Sequence, residues 1–232
     1  MGMNSHIANL LTALVVFAAP LQAEEPPDPR AILKTVRIAE SEQNRALDGT
    51  IRTGGKSLPF RLICAGNTID YQFANPPQMI QVRLGEREAK IEEITPGKVE
   101  KVSPRRFDER VRDTQITYED LSLCFLYWPI ATVLGQQTVL LQSCWIVRVQ
   151  PGSHGDTQYS KVDLSISKKT GALMQAEAYD QAGKLLRKFK VISGQPVGEG
   201  LWILKEMRIE SFTGRPEDKT PTYMDIEKPE KS

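Results

Sequence analysis

Beyond the N-terminal apolar segment the chain has a single histidine, His154, set in the Gly-rich turn Pro151-Gly-Ser-His-Gly-Asp156. A Ser-His-Asp or Cys-His relay would have to be built around that loop, and a zinc site with several histidine ligands has nothing to draw on. Thr53-Gly-Gly-Lys-Ser57 imitates the end of a phosphate-binding loop. The first glycine of that motif is replaced by Thr50, however, and Pro59 stands where its helix would begin, so a hairpin turn is expected. The carboxylates Glu92/Glu93 and Asp225/Glu227 are neighbours without a distant partner. They suit the wet face of a strand better than glycoside hydrolysis. Cys64, Cys124 and Cys144 form no CxxC and are odd in number. One bridge at most can form, with Cys124 and Cys144 the closer pair; buried thiols acting as small hydrophobes are the alternative. Trp128, Trp145 and Trp202 are either ligand contacts or ordinary core. The expectation is a protein without catalytic residues, cofactor or metal.

The charge balance points the same way. Thirty basic and 29 acidic side chains give a formal +1, which provides no general attraction to nucleic acid or an anionic membrane. Arg105, Arg106, Arg110 and Arg112 alternate with Asp108, Glu109 and Asp113, as on a solvated mixed face. The apolar run 7–19, then Pro20-Leu-Gln-Ala23 and the acidic, Pro-rich Glu24-Glu-Pro-Pro-Asp-Pro29, read as a signal peptide cleaved after about Ala23. An uncleaved anchor is the alternative, although the run is short for a bilayer span. An exported, soluble, monomeric protein is expected, with one domain over 24–226 and a flexible tail over 227–232.

Asp28 and Pro29 open a first helix with Ile32, Leu33, Val36 and Ala39 on one face. Short β-like runs follow: Leu47 to Thr53, Leu58 to Ala65, Thr68 to Phe73, Met79 to Leu84 and Ala89 to Thr95, each closed by Gly, Asn or Pro. This spacing predicts an antiparallel meander. Residues 104–117 are polar and interrupt it. Thr117, with Asp120 three residues on, predicts the N-cap of an apolar helix running to Trp128, where Pro129 stops it. Leu121, Phe125 and Trp128 would share one face of that helix. The ladder then resumes with a long strand from Gln137 to Gln150. In Tyr159 to Ser167, Val162, Leu164 and Ile166 face one way. Next come a turn at Lys168-Lys-Thr-Gly171, a strand carrying Met174, Ala176 and Ala178 on one side, and strands over Lys184 to Ile192, Leu201 to Phe212 and beyond Thr220. Each strand has one apolar and one wet face.

Several of these pieces, in order, resemble the outer-membrane lipoprotein-sorting (LolA-like) superfamily, in its exported branch. They are Ile116-Thr-Tyr-Glu-Asp-Leu121, Phe125-Leu-Tyr-Trp-Pro129, Cys144-Trp-Ile-Val-Arg-Val149, Tyr159-Ser-Lys-Val-Asp-Leu-Ser-Ile166, Lys169-Thr-Gly171, Glu177-Ala-Tyr-Asp180, Gly200-Leu-Trp202 and Thr213-Gly214. The resemblance covers roughly residues 104–224. It implies an α+β fold: an incomplete, half-open antiparallel β-barrel whose strongly curved sheet is covered by a few helices. It also implies a periplasmic, non-enzymatic carrier of lipid or lipoprotein acyl chains, working between inner-membrane donor and outer-membrane acceptor proteins. A regulatory or sensor module binding a protein partner through the same cleft is the alternative. The candidate cavity lining is Leu121, Phe125, Trp128, Trp145, Val162, Leu164, Ile166, Met174, Ala176 and Ala178. Carriers of the family hold their lid with an arginine inside the barrel; Arg61, Arg83, Arg148 and Arg208 lie on strands here, and none aligns by motif.

Overall fold

A computed structural model describes residues 26–41, 44–152, 157–198 and 201–229. The expected signal peptide and His154 lie outside the described residues. Helix α1 (Pro29–Ser41) starts where Asp28 and Pro29 place it, with Asp28 Oδ1 accepting from the Arg30 amide at 3.0 Å. Ile32, Leu33 and Val36 are buried; the side chain of Ala39 is outside the described residues.

The N-terminal meander comprises β1 (Arg45–Thr53), β2 (Lys56–Ala65), β3 (Thr68–Phe73), β4 (Gln78–Leu84), β5 (Ala89–Thr95) and β6 (Lys98–Lys101). A second run follows, with β7 (Ile130–Val139), β8 (Gln142–Gln150), β9 (Lys161–Ser167), β10 (Leu173–Tyr179), β11 (Leu185–Gly198), β12 (Leu201–Ser211) and β13 (Thr222–Ile226). All 13 form one sheet in the order β6-β5-β4-β3-β2-β1-β13-β12-β11-β10-β9-β8-β7. The sheet is curved and open, with β6 and β7 as its two edges, as the α+β expectation required.

Those two edge strands are consecutive in the chain. The segment between them, residues 102–129, therefore crosses the inner side of the sheet as a strap. Under it lies a core built on β1 to β5, β12 and β13, into which the strap inserts Val102, Val111, Ile116, Tyr118 and Leu121. A second core joins Ile32, Leu33 and Val36 of α1 to Phe125 and Leu126 of the strap and to Val147, Val149, Val162, Leu164, Ile166, Ala176 and Ala178 of β8 to β10. Gly171 ties α1 to the sheet. Its φ is +73°, and a Cβ there would stand 2.6 Å from Thr35 Cγ2. Gly171→Ala should lower stability by about 1–2 kcal/mol through the left-handed backbone alone and displace α1; a lower urea midpoint would register it.

Three local expectations are corrected. The helix predicted to run to Trp128 is only α2 (Tyr118–Ser122), followed by Leu123 at φ 52° and a 3-10 turn over Cys124–Tyr127. Ser122 breaks it: its hydroxyl donates to the Glu119 carbonyl at 2.7 Å and accepts from the Cys124 amide at 3.2 Å, competing with the helical ladder. The long strand predicted over Gln137 to Gln150 is instead the β7–β8 hairpin, turning at Leu140 (φ 48°) and Leu141 (φ 62°). Two-residue turns of this kind ordinarily carry Asn-Gly, so the sequence held no signal for it. Finally, the basic cluster is not a simple solvated face. Arg106 pairs with Glu93 and Glu109, each at 2.8 Å, and Arg110 with Glu217 at 3.0 Å. Arg112 donates to the carbonyls of Asn75 and Pro76. Three of the four arginines fasten the strap, Arg106 to β5, Arg110 to the β12–β13 connection and Arg112 to the β3–β4 turn.

Candidate functional site

The register of the second half of the sheet places the site. Val149, Val162, Ala178, Arg187 and Ser211 are successive cross-strand partners from β8 to β12. The next inward row is Val147, Leu164, Ala176, Phe189 and Ile209. An arginine, 3% exposed, thus stands in a buried row whose other members are apolar except for Ser211. It was not among the arginines singled out from the sequence. The signal was present: in Leu185-Leu-Arg-Lys-Phe-Lys-Val191 the alternation puts Arg187 on the face of Leu185, Phe189 and Val191.

Arg187 reaches across to the strap. Its Nη1 donates to the Gln115 carbonyl at 2.6 Å and to Ser211 Oγ at 3.0 Å. Its Nε stands 3.7 Å from Asp120 Oδ2 and has no hydrogen-bond partner. Asp120 has two duties. As the third residue of the capping box it accepts from the Thr117 amide at 2.8 Å, while Thr117 Oγ1 accepts from the Asp120 amide at 3.3 Å. Its other oxygen accepts from the hydroxyl of Tyr159, which is 1% exposed. One carboxyl therefore sets the start of α2 and faces both Tyr159 and Arg187.

Glu119, fully buried beside it, accepts from the Thr157 hydroxyl and from the Gln158 amide at 3.3 Å. Burial pushes this carboxyl up to about 7; the Thr157 hydrogen bond opposes the rise and the Asp120 charge adds to it. Gln115 Nε2 donates to the carbonyls of Glu217 and Thr220, both at 2.7 Å, whereas its Oε1 has no partner. At the far end of the strap, Arg37 of α1 donates to the Leu126 carbonyl at 2.6 Å and lies over the Tyr127 ring. Polar groups, some of them incompletely satisfied, hold an apolar cover on an apolar sheet.

Six of the ten candidate lining residues, Phe125, Val162, Leu164, Ile166, Ala176 and Ala178, meet in the second core, and Trp128 and Trp145 pack against it. Leu121 belongs to the first core, and Met174 to a small cluster with Val139 and Cys144. Two grooves flank the strap. One, of about 330 Å³, is lined by Trp128, Tyr127, Arg30 and Arg87; the other, of about 660 Å³, by Leu58, Pro76, Arg112 and Tyr118. Trp202 is 64% exposed.

Cys124 and Cys144 are free thiols rather than a bridge. Burial pushes the Cys124 thiol up to about 12, which suppresses the thiolate a nucleophile needs. Among the described residues no group of three His, Cys, Asp or Glu is placed to hold a metal ion.

A family model described as "Uncharacterized protein" matches residues 96–231, more than half of the chain. The chain belongs to that family. The match takes in the strap, β7 to β13 and Arg187. No curated protein sequence matches the chain significantly. Among solved structures, an outer membrane lipoprotein-sorting protein domain from Vibrio parahaemolyticus superposes with a TM-score of 0.64 at 15% identity, over 85% of this chain and 89% of that one. A LolA superfamily protein from Nitrosomonas europaea gives 0.62 at 14%, over 87% and 92%. A DUF1329 family protein from Desulfovibrio piger gives 0.62 at 19%, over the same shares. The fold is LolA-like, as the sequence pieces implied.

Proposed function

We propose that the chain is a periplasmic, non-enzymatic binder or carrier of lipid or lipoprotein acyl chains, with the strap as its cover and Arg187 as the latch. The observation that carries this is the inward row in which Arg187 interrupts apolar residues to hold Gln115 and Asp120 of the strap. Lifting the strap exposes the rows built on Val149, Val162, Ala178 and Val147, Leu164, Ala176, a floor for acyl chains that the strap's own side chains cover when it is closed. Small residues at 176 and 178 leave depth between the larger ones. The export reading rests on the apolar run 7–19 and the small-residue site at Ala23.

Burial of each acyl CH₂ contributes about 0.8 kcal/mol, so several chains together exceed any affinity reached in water, which saturates near about −20 kcal/mol. A carrier must therefore exchange the cargo between apolar surroundings, and a cover held by polar contacts suits that exchange. Native mass spectra of protein purified from its own envelope should show bound lipid, and Ala176→Phe, which fills the floor, should reduce it by about tenfold. Lipid-free protein together with no uptake of a fluorescent phospholipid would sink the reading.

One observation favours a second reading. The β7 edge presents Ile130 and Leu134 to solvent, 48% and 47% exposed, and an unpaired edge is a template for strand addition by a protein partner. A partner retained by Ala176→Phe with no lipid bound would select it.

A further inference from the structure

The β7–β8 turn breaks a local rule. Leu140 and Leu141 both adopt the left-handed backbone that costs a branched L-residue about 1–2 kcal/mol each, and both face solvent, Leu141 98% exposed. A turn that gains neither backbone ease nor burial points to an outside contact.

Its surroundings say which. Cys144 pairs with Ser167, so this turn and the Lys168–Gly171 turn leave the sheet at the same end. The Lys168 ammonium sits 3.6 Å from the centre of the half-buried Trp145 ring, and Lys169 is exposed. No carboxylate occurs in residues 136–145 or 165–172. The β11–β12 hairpin brings the exposed Trp202, paired with Pro196, to that end as well. Among the described residues Lys168 is bound only to neutral Gln136 and the Trp145 ring, and Lys169 is exposed. Exposed leucines at a tip, an exposed tryptophan and these two lysines, with no carboxylate in either turn, match the apolar edge, the interface and the anionic headgroups of a bilayer.

We propose that this rim docks the protein on an anionic phospholipid surface, with Leu140 and Leu141 entering the acyl boundary and Lys168 and Lys169 meeting phosphate headgroups. The whole-chain charge of +1 gives no general attraction, so the contact is local and reversible. The inference goes beyond the carrier reading: vesicle binding at the rim and lipid retention in the interior are separate measurements, and either can fail alone.

The test is co-sedimentation of the full mature chain with vesicles of phosphatidylethanolamine and phosphatidylglycerol, against vesicles of phosphatidylcholine. Leu140→Asn with Leu141→Gly installs the preferred turn, so it should raise the melting temperature while reducing vesicle partition by about tenfold or more. Lys168→Gln with Lys169→Gln should remove the preference for anionic vesicles and its sensitivity to salt. The proposal is overturned if the wild-type chain does not sediment with anionic vesicles, or if the Asn-Gly turn leaves partition unchanged. It is equally overturned if light scattering shows a dimer that the Asn-Gly turn dissolves, since the tip would then be a protein contact.

Discussion

Arg187→Met is expected to destabilise the chain by about 3–5 kcal/mol, the usual loss when one partner of a buried ion pair is removed. The size follows from where the guanidinium stands. It is 3% exposed, and its Nη1 satisfies the Gln115 carbonyl and Ser211 Oγ. Its Nε is 3.7 Å from Asp120. Methionine keeps the volume and removes all three interactions, leaving the Asp120 carboxyl with Tyr159 and Thr117 but no facing cation. Asp120→Asn removes the charge and keeps an acceptor for the Thr117 amide, so its effect should be smaller. The double variant should fall well short of the sum of the two, because the pair is coupled. The effect should also be directional, with proteolysis moving to residues 102–129 before the sheet is attacked. Urea denaturation and limited proteolysis check both parts; a loss below about 1 kcal/mol would mean that Arg187 does not hold the strap.

Glu119→Gln should act through pH. The buried carboxyl titrates near about 7 in the folded chain, against an ordinary value of 4.5. The folded state therefore holds the proton more tightly than the unfolded one. The stability that this carboxyl contributes is fully present below pH 4.5, is lost as pH rises towards 7 and is level above that, a total loss of about 3 kcal/mol. Glutamine cannot titrate, and its amide still accepts from the Gln158 N–H while the Thr157 hydroxyl turns to receive its N–H. The variant should lose the downward slope between pH 5 and 7 and be the more stable protein at pH 8. Parallel wild-type and variant curves would show that Glu119 is not the group responsible. Thr157 and Gln158 precede β9, so the titration loosens the seat of α2 beside the latch.

Much of the fold was legible because strands with one wet face write their period into the sequence. The bounds of β3 and β5 were read as they stand, and the Thr117–Asp120 capping box was read from two residues. What escaped had physical causes. The turn at Leu140-Leu141 uses residues that disfavour its backbone, so two strands read as one. α2 ends early because the Ser122 hydroxyl captures neighbouring backbone groups, which apolar periodicity does not register. β6, Lys-Val-Glu-Lys, carries too few apolar residues to register as a strand. Arg187 was legible in principle, as a cation out of phase with its strand, but its partners 67 to 72 residues earlier could be supplied only by the register of the whole sheet.

The position of β13 bears on how the chain can be made. Five residues near the C-terminus, Thr222–Ile226, pair with β1 on one side and β12 on the other. The first six strands and the next six can each zip up from neighbouring hairpins as they emerge, but nothing else in the sheet joins one half to the other. Until Thr222–Ile226 has been made, the two half-sheets hold open seams at β1 and β12. Deletion of residues 222–226 would undo the middle of the sheet rather than trim its edge.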